Sequence, residues 1–182
     1  KACGFSGDEI MFSANDVPPE EFAYARRLGA IVNLDDITHV NVLRENGGIP
    51  EEVCLRFNPG GSFRIGNTIM GDPGDAKYGM TREQLTQALL QMKPDGLKRF
   101  GLHAFLSSNT TDPLYYPTLA GLLFTVGKEL MQETGLQLSF VNLSGGIGIP
   151  YRPDAEPADL EAIGAGVAEQ YRKAFAGMNM PP

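Results

Sequence analysis

The stretch Leu138-Ser-Phe-Val-Asn-Leu-Ser-Gly-Gly-Ile-Gly148 joins an apolar run directly to a glycine-rich turn. The apolar run Leu138–Ser144 has the length and continuity of a strand that is buried on both faces. Glycines in the turn let the backbone adopt positive φ and approach a ligand closely. Successive backbone N–H groups in such a turn form a concavity that binds anions. Taken alone, the stretch is either a phosphate site or a tight left-handed turn without a ligand.

The glycine spacing of this turn differs from two common nucleotide-binding patterns. It is not G-x-G-x-x-G, and no Gly-Lys-Ser/Thr follows as a Walker A loop requires. A dinucleotide cofactor on a Rossmann fold is therefore disfavoured.

Outward from this stretch, apolar runs alternate with helical patterns along the whole chain. This alternation predicts an α/β protein with parallel strands and outer helices. Two architectures satisfy it, a doubly wound open sheet and a (β/α)₈ TIM barrel. Five strand–helix units fall short of a closed barrel, so a barrel architecture makes this chain part of a larger one. The predicted strands are Ile10–Ala14, Ala30–Leu34, Val53–Asn58, Phe100–Leu106 and Leu138–Ser144.

Proline, glycine and capping residues mark the ends of the predicted helices. Proline suits the first turn of a helix and glycine the position after its last turn. Thr81-Arg-Glu-Gln84 has the pattern of a capping box. The segment from Pro59 to Met80 contains no clear regular element, and loops of that length are commonly functional. The helices are expected from Pro18 to Gly29, from Asp36 to Asn46, from Thr81, across Leu119–Leu130 to Gly135, and from Pro157.

Composition and charge exclude several classes of function. The net charge of −7 disfavours nucleic-acid binding, which needs clustered Lys and Arg. No apolar run reaches the roughly 18 residues of a transmembrane helix, so no membrane partner is expected. Cys3 and Cys54 form neither a CxxC nor a metal-binding pattern, and no metal site is predicted. The two thiols suit a reducing, cytoplasmic compartment.

The segment Gly101-Leu-His-Ala-Phe-Leu-Ser-Ser-Asn109 carries polar groups at the end of a predicted strand. Strand alternation puts His103 and Phe105 on the face opposite the apolar residues, and therefore inside the sheet's curve. His103 is then either a core histidine bonded to a neighbour or part of a site at the strand's carboxyl end. Ser107 and Ser108 supply small donors there, or they cap the next helix.

Two interpretations are also open for Arg56, which lies on the predicted strand Val53–Asn58. Alternation directs it inward, where a buried guanidinium needs a carboxylate, a phosphate or an aromatic face. An ion pair with an acidic neighbour and a functional role are both open. Lys77, at the end of the long loop, is most simply a solvated surface lysine.

Taken in order, these segments resemble the fold-type III pyridoxal-phosphate decarboxylases, above all the diaminopimelate decarboxylases. The match spans nearly the whole chain and rests on several motifs in the right order. Upstream, Gly4-Phe, Ile10–Asn15 and Val32-Asn-Leu-Asp35 also resemble family segments. The main motifs are Leu55-Arg-Phe-Asn-Pro-Gly60 for "LRxNPG", Ala76-Lys-Tyr-Gly-Met80 for "sKFGi", Gly101-Leu-His-Ala-Phe-Leu-Ser-Ser108 for "GLHxHIGS" and Leu143-Ser-Gly-Gly-Ile-Gly-Ile-Pro-Tyr151 for "lGGGlGipY".

The resemblance implies a partial (β/α)₈ barrel that covers about the third to the seventh strand and binds pyridoxal 5'-phosphate. The family's Schiff-base lysine, the glutamate that meets the pyridine nitrogen and a following β domain would lie outside this chain. The chain alone is therefore expected to have no catalytic residue and no activity. It is also expected to be stable only within a larger chain or dimer, and the full-length protein is expected to be a homodimer.

The resemblance also implies individual roles in binding the cofactor. Ser108 and the backbone N–H groups of Gly145 and Gly146 would hold the phosphate, while Arg56 and Lys77 match positions that line the pocket. His103 matches the first histidine of "GLHxHIGS". Phe105 stands where the second, ring-stacking histidine is found, and Ser144 replaces the first glycine of the triplet. Phenylalanine can still stack but cannot hydrogen-bond.

The implied reaction is the decarboxylation of meso-2,6-diaminopimelate to L-lysine, a step of lysine biosynthesis. A decarboxylase of carboxynorspermidine, ornithine, arginine or a D-amino acid would use the same cofactor on another small amino acid. A non-catalytic barrel that binds phosphate is the alternative from a different class.

Overall fold

A computed structural model describes residues 2–63, 78–152, 154 and 156–178. All five predicted strands are present, with ends that differ slightly from those expected. They form one five-stranded sheet. The strands are β1 (Met11–Ser13), β2 (Ile31–Leu34), β3 (Glu52–Arg56), β4 (Arg99–His103) and β5 (Gln137–Asn142).

The strands lie side by side in chain order and every neighbouring pair is parallel. A doubly wound sheet would reverse its strand order at a switch point, and this sheet does not. Sequential parallel order is the order of strands around a (β/α)₈ barrel. The predicted partial barrel is confirmed, and the doubly wound alternative is wrong.

The helices follow the strands as expected, and three of the predicted end residues cap them. Gly29 and Gly135 end their helices with φ of 74° and 69°. The Thr81 side chain accepts from the backbone N–H of Gln84 in the predicted capping box. The helices are α1 (Pro19–Leu28), α2 (His39–Gly47), α3 (Arg82–Met92), α4 (Tyr115–Thr134) and α5 (Leu160–Ala174).

Two helices begin later than predicted because local side chains hold the preceding residues in turns. The Asp36 carboxylate accepts from the backbone N–H and hydroxyl of Thr38, at 2.8 and 2.6 Å, so α2 starts only at His39. Asp159 caps α5 by accepting from Ala162 N–H at 2.9 Å. A side chain at such a position satisfies a backbone donor that has no intrahelical partner, and so it marks where the helix begins.

The two faces of the sheet differ in chemistry, and this difference positions the site. Leu34, Leu55 and Leu102 are in register on the outer face and are fully buried. They pack against the helices in the main apolar core. On the inner face, Gly101 lies beneath the ring of Phe140, where an added Cβ would come within 2.2 Å of the ring. Polar side chains occupy the inner face near the carboxyl ends of the strands.

Among the described residues, no helix combines the length and apolarity that crossing a bilayer would require.

Candidate functional site

A row of polar side chains crosses the inner face where three neighbouring strands end. Arg56, His103 and Asn142 are in register on β3, β4 and β5. Parallel strands bring their carboxyl ends to one edge of the sheet, so these side chains meet although they are distant in sequence. The segments that follow β4 and β5 extend the site beyond the sheet.

A cavity of about 510 Å³ opens at this edge. All the predicted cofactor-binding residues except Arg56 line it, so the structure brings them together. The lining residues are Met11, Ser13, His103, Phe105, Ser108, Asn142, Ser144, Gly145 and Gly146.

The glycine turn packs tightly against the segment that follows β4. Gly146 has φ of 93°, and a Cβ there would lie 2.8 Å from the Ser107 carbonyl oxygen and 3.1 Å from Ser108 Cα. The Thr110 N–H donates to the Gly146 carbonyl at 3.0 Å and fixes the two segments together. Ser108 therefore converges on the turn, and only glycine allows this approach.

The three amides predicted to face an anion do not behave alike. Ser144 N–H donates to the Asn142 side-chain oxygen at 2.7 Å, so the prediction of a bare amide at Ser144 is wrong. Asparagine side chains commonly accept from the backbone N–H two residues further along the chain, and here that bond occupies the Ser144 donor. No acceptor among the described residues bonds the N–H groups of Gly145 or Gly146. Space is open around Gly145, where a Cβ would have no atom within 4 Å.

The Ser144 side chain instead joins the ends of β4 and β5. Its hydroxyl donates to the Ala104 carbonyl at 2.8 Å and lies 2.6 Å from His103 Nε2. A carbonyl only accepts, so the hydroxyl proton is committed to Ala104 and His103 Nε2 must donate to Ser144. Nε2 therefore carries a proton, and in its neutral form His103 is the Nε2–H tautomer. Its Nδ1 is buried and has no partner in the described part of the chain.

The surroundings of His103 hold it in this neutral form. Burial and, to a smaller extent, the nearby Arg56 guanidinium lower its pKa to about 4, and the Asp35 carboxylate offsets only part of this decrease. The histidine contacts its neighbours as a core histidine would, and it also lines the cavity. His103 is thus both a core histidine bonded to a neighbour and a residue of the cavity at the carboxyl end of β4, the two alternatives that the sequence left open.

We expect acidification to destabilise the fold through His103. The folded protein binds this proton more weakly than the unfolded chain, whose histidine has the ordinary pKa of 6.5. The stabilisation is complete above about pH 6.5 and is lost as the pH falls towards 4, by about 2 kcal/mol between pH 7 and pH 5. His103→Gln should lack this part of the pH dependence, while carboxylate titrations cancel between the two proteins. A ring-proton NMR titration that placed the His103 pKa near 6.5 would contradict the assignment.

Arg56, which the resemblance predicts to bind the cofactor, is not among the residues that line the cavity. Its guanidinium pairs with Asp35 at 2.8 Å, and a second nitrogen donates to the Phe105 carbonyl at 3.4 Å. The Tyr78 ring lies 5.3 Å from the guanidinium carbon. The ion-pair alternative holds, because a buried guanidinium is stabilised most by a nearby carboxylate. Arg56 supports the backbone of Phe105 from behind the cavity wall.

Sequence reasoning gave no role to several residues that build the site. Asp35 follows β2 and pairs with Arg56, while Asn142 ends β5 and holds the Ser144 amide. Both are polar residues at the carboxyl end of a buried strand, which is the signal that could have found them. Met11 and Ser13 on β1 line the cavity without any such signal in the sequence. Lys77 lies outside the described residues.

The residues present fit a cofactor that carries a phosphate and an aromatic ring. Gly145 and Gly146 offer backbone donors beside open space, and Ser108 adjoins them. The Phe105 ring lies 3.6 Å from the Cβ position of Gly146, so an apolar plane borders the anion donors. No group of three or more His, Cys, Asp or Glu within the described ranges is arranged to hold a metal ion.

Comparison with known families places the chain in one of them over nearly its whole length. The model of the family described as "Pyridoxal-dependent decarboxylase, pyridoxal binding domain" matches residues 1–181. Protein TabA of Pseudomonas amygdali pv. tabaci is 31% identical over 94% of this chain and 40% of its own length. Diaminopimelate decarboxylase of Thermoplasma acidophilum is 26% identical over 96% of this chain and 42% of its own. The chain thus spans less than half the length of these relatives.

Solved structures share the fold. A point mutant of diaminopimelate decarboxylase from Helicobacter pylori, complexed with L-lysine, aligns with a TM-score of 0.82 at 19% identity. That alignment covers 97% of this chain and 45% of the mutant enzyme. The enzyme from M. jannaschii, in co-complex with L-lysine, aligns with a TM-score of 0.81 at 21% identity. That alignment covers 96% of this chain and 42% of the enzyme.

Proposed function

Because the chain belongs to the pyridoxal-dependent decarboxylases, as their pyridoxal-binding domain, we propose that the full-length protein decarboxylates meso-2,6-diaminopimelate to L-lysine. The observation that carries the cofactor's place is the convergence of Gly145, Gly146 and Ser108 on one cavity. Diaminopimelate decarboxylases recur among the relatives at 24–28% identity, which supports the substrate.

The residues of this chain bind and orient rather than react. The N–H groups of Gly145 and Gly146 and the Ser108 hydroxyl hold the phosphate of pyridoxal phosphate, so its charge is met by fixed dipoles. Phe105 offers an aromatic face to the cofactor ring. His103, neutral and bonded to Ser144, shapes the cavity wall without adding a positive charge. When bound, pyridoxal phosphate supplies the electron sink that decarboxylation requires.

A decarboxylase acting on another small amino acid is the second candidate. Phe105 and Ser144 both depart from the family motifs, and TabA, whose name states no substrate, is more similar than the diaminopimelate decarboxylases named above. Carboxynorspermidine, ornithine, arginine and D-amino acids are therefore the competing substrates. The homodimer implied by the resemblance is part of the same proposal.

The full-length gene product should show a cofactor absorbance band near the visible edge and release CO₂ from meso-diaminopimelate. We expect kcat/KM for this substrate to exceed that for ornithine or arginine by at least about a hundredfold, because a site built for distal polar groups rejects substrates that leave them unpaired. A preference for another amino acid would show that the proposed substrate is wrong, while the proposed decarboxylation would stand. Absence of both the band and CO₂ release would favour a non-catalytic barrel that binds phosphate.

A further inference from the structure

The glycine turn is held from outside the cavity by a tyrosine of α4. Tyr116 donates its hydroxyl hydrogen to the Gly145 carbonyl at 3.0 Å, across 29 residues of sequence. Its side chain belongs to the buried core and the residue is only 3% exposed. Burial raises the pKa of Tyr116, so the hydroxyl keeps its proton and remains a donor well above neutral pH.

This hydrogen bond fixes the direction of the next amide. A trans peptide is planar, so the N–H of Gly146 points opposite to the C=O of Gly145. The carbonyl points outward to α4, and the Gly146 N–H therefore points to the inner side, where the cavity lies. The Thr110 N–H holds the Gly146 carbonyl at 3.0 Å, so the following peptide is anchored as well.

The Tyr116 ring is itself fixed before any ligand binds. It contacts Tyr115 edge to face, with the ring centroids 4.9 Å apart and the planes at 87°. Tyr115, which is 1% exposed, packs in turn against Phe63 with centroids 5.8 Å apart. Packed aromatic rings of this kind have little rotamer freedom, so the hydroxyl is held in position by the core.

We propose that Tyr116 is a positioning residue which presets the Gly146 N–H for the phosphate of the cofactor, a role that rests on the proposed function. Tyr116 touches neither the cavity nor a reacting atom, and it acts only through the Gly145–Gly146 peptide. An amide already oriented loses less freedom on binding an anion than one that must rotate. The hydroxyl thus strengthens the phosphate-dependent part of cofactor binding and no other part.

Tyr116→Phe in the full-length product tests this, because the change removes one oxygen and keeps the packed ring. We expect the Kd for pyridoxal phosphate to rise about threefold to tenfold, the usual range for one lost hydrogen bond. The Kd for pyridoxal, which lacks the phosphate, should stay within about twofold. The ³¹P resonance of the bound cofactor should shift. Tyr24→Phe, at a half-exposed tyrosine of α1, should change none of these quantities.

Three outcomes would overturn the inference. Unchanged affinity for pyridoxal phosphate in Tyr116→Phe overturns the role of Tyr116 and leaves the proposed function standing. Equal losses of affinity for pyridoxal phosphate and pyridoxal would indicate a general structural role for the hydroxyl. That result would also overturn the inference. Failure of the wild-type protein to bind pyridoxal phosphate would overturn the proposed function itself, and this inference with it.

Discussion

Gly146→Ala is expected to lower the affinity of the full-length product for pyridoxal phosphate by at least about thirtyfold, or about 2 kcal/mol. The φ of 93° at Gly146 is strained for any residue with a Cβ. The new methyl group would also lie 2.8 Å from the Ser107 carbonyl oxygen, which is backbone and cannot swing aside. Overpacking of this kind costs about 1–3 kcal/mol and would push the turn away from Ser108.

Gly164→Ala, on α5 and away from the cavity, is the matched control for this change. A Cβ at Gly164 has no atom within 4 Å, and its φ lies outside the left-handed range. The same methyl group at this distant glycine should therefore leave the Kd within about threefold. Titration of the cofactor-free proteins with pyridoxal phosphate, followed by absorbance, measures both. Equal affinities for the two variants would show that the turn does not form the anion site.

Arg56→Met is expected to lower the free energy of unfolding by about 3–5 kcal/mol, because it leaves the buried Asp35 carboxylate without its ion-pair partner. The two side chains are only 12% and 5% exposed. The Phe105 carbonyl would lose a donor as well, so the cavity wall should loosen and cofactor affinity should fall. Urea unfolding of the full-length product measures the first effect.

Two further variants isolate the ion pair. Arg44→Met removes a guanidinium whose pair with Asp95 is more than one-third exposed on both sides, and it should cost less than about 1 kcal/mol. Adding Asp35→Asn to Arg56→Met removes the stranded charge and should restore at least about 1 kcal/mol. A double variant no more stable than Arg56→Met would mean that the charge of Asp35 is not what destabilises the single variant.

The fold followed from patterns that act locally. Apolar runs placed the five strands, and Gly29, Thr81 and Gly135 marked helix ends that the structure confirms. Strand ends were less predictable because they depend on distant partners. β4 stops at His103, before the predicted Leu106, since the carbonyls of the next two residues bond side chains instead of a strand. Those side chains are Ser144, which takes the Ala104 carbonyl, and Arg56, which takes that of Phe105.

Several of the residues that line the cavity could be predicted from motifs, but the hydrogen bonds and ion pairs between the side chains of the site could not. Ser108, Gly145 and Gly146 were predicted together and line one cavity. The capture of the Ser144 amide by Asn142 depends on a side-chain rotamer that no motif specifies. The pairing of Arg56 with Asp35 depends on β2 and β3 being neighbours, which the alternation of elements allowed but did not require.

By itself, the sequence determined the element types, the inner and outer faces of the strands and the glycine turn, because these depend on residues a few positions apart. Only the tertiary structure decided the strand order and which polar groups bond one another. Such contacts join residues like Tyr116 and Gly145, whose distance along the chain carries no information about their distance in space. The same folding that buried the apolar face brought the polar strand ends to one edge, where Gly145 and Gly146 line the cavity.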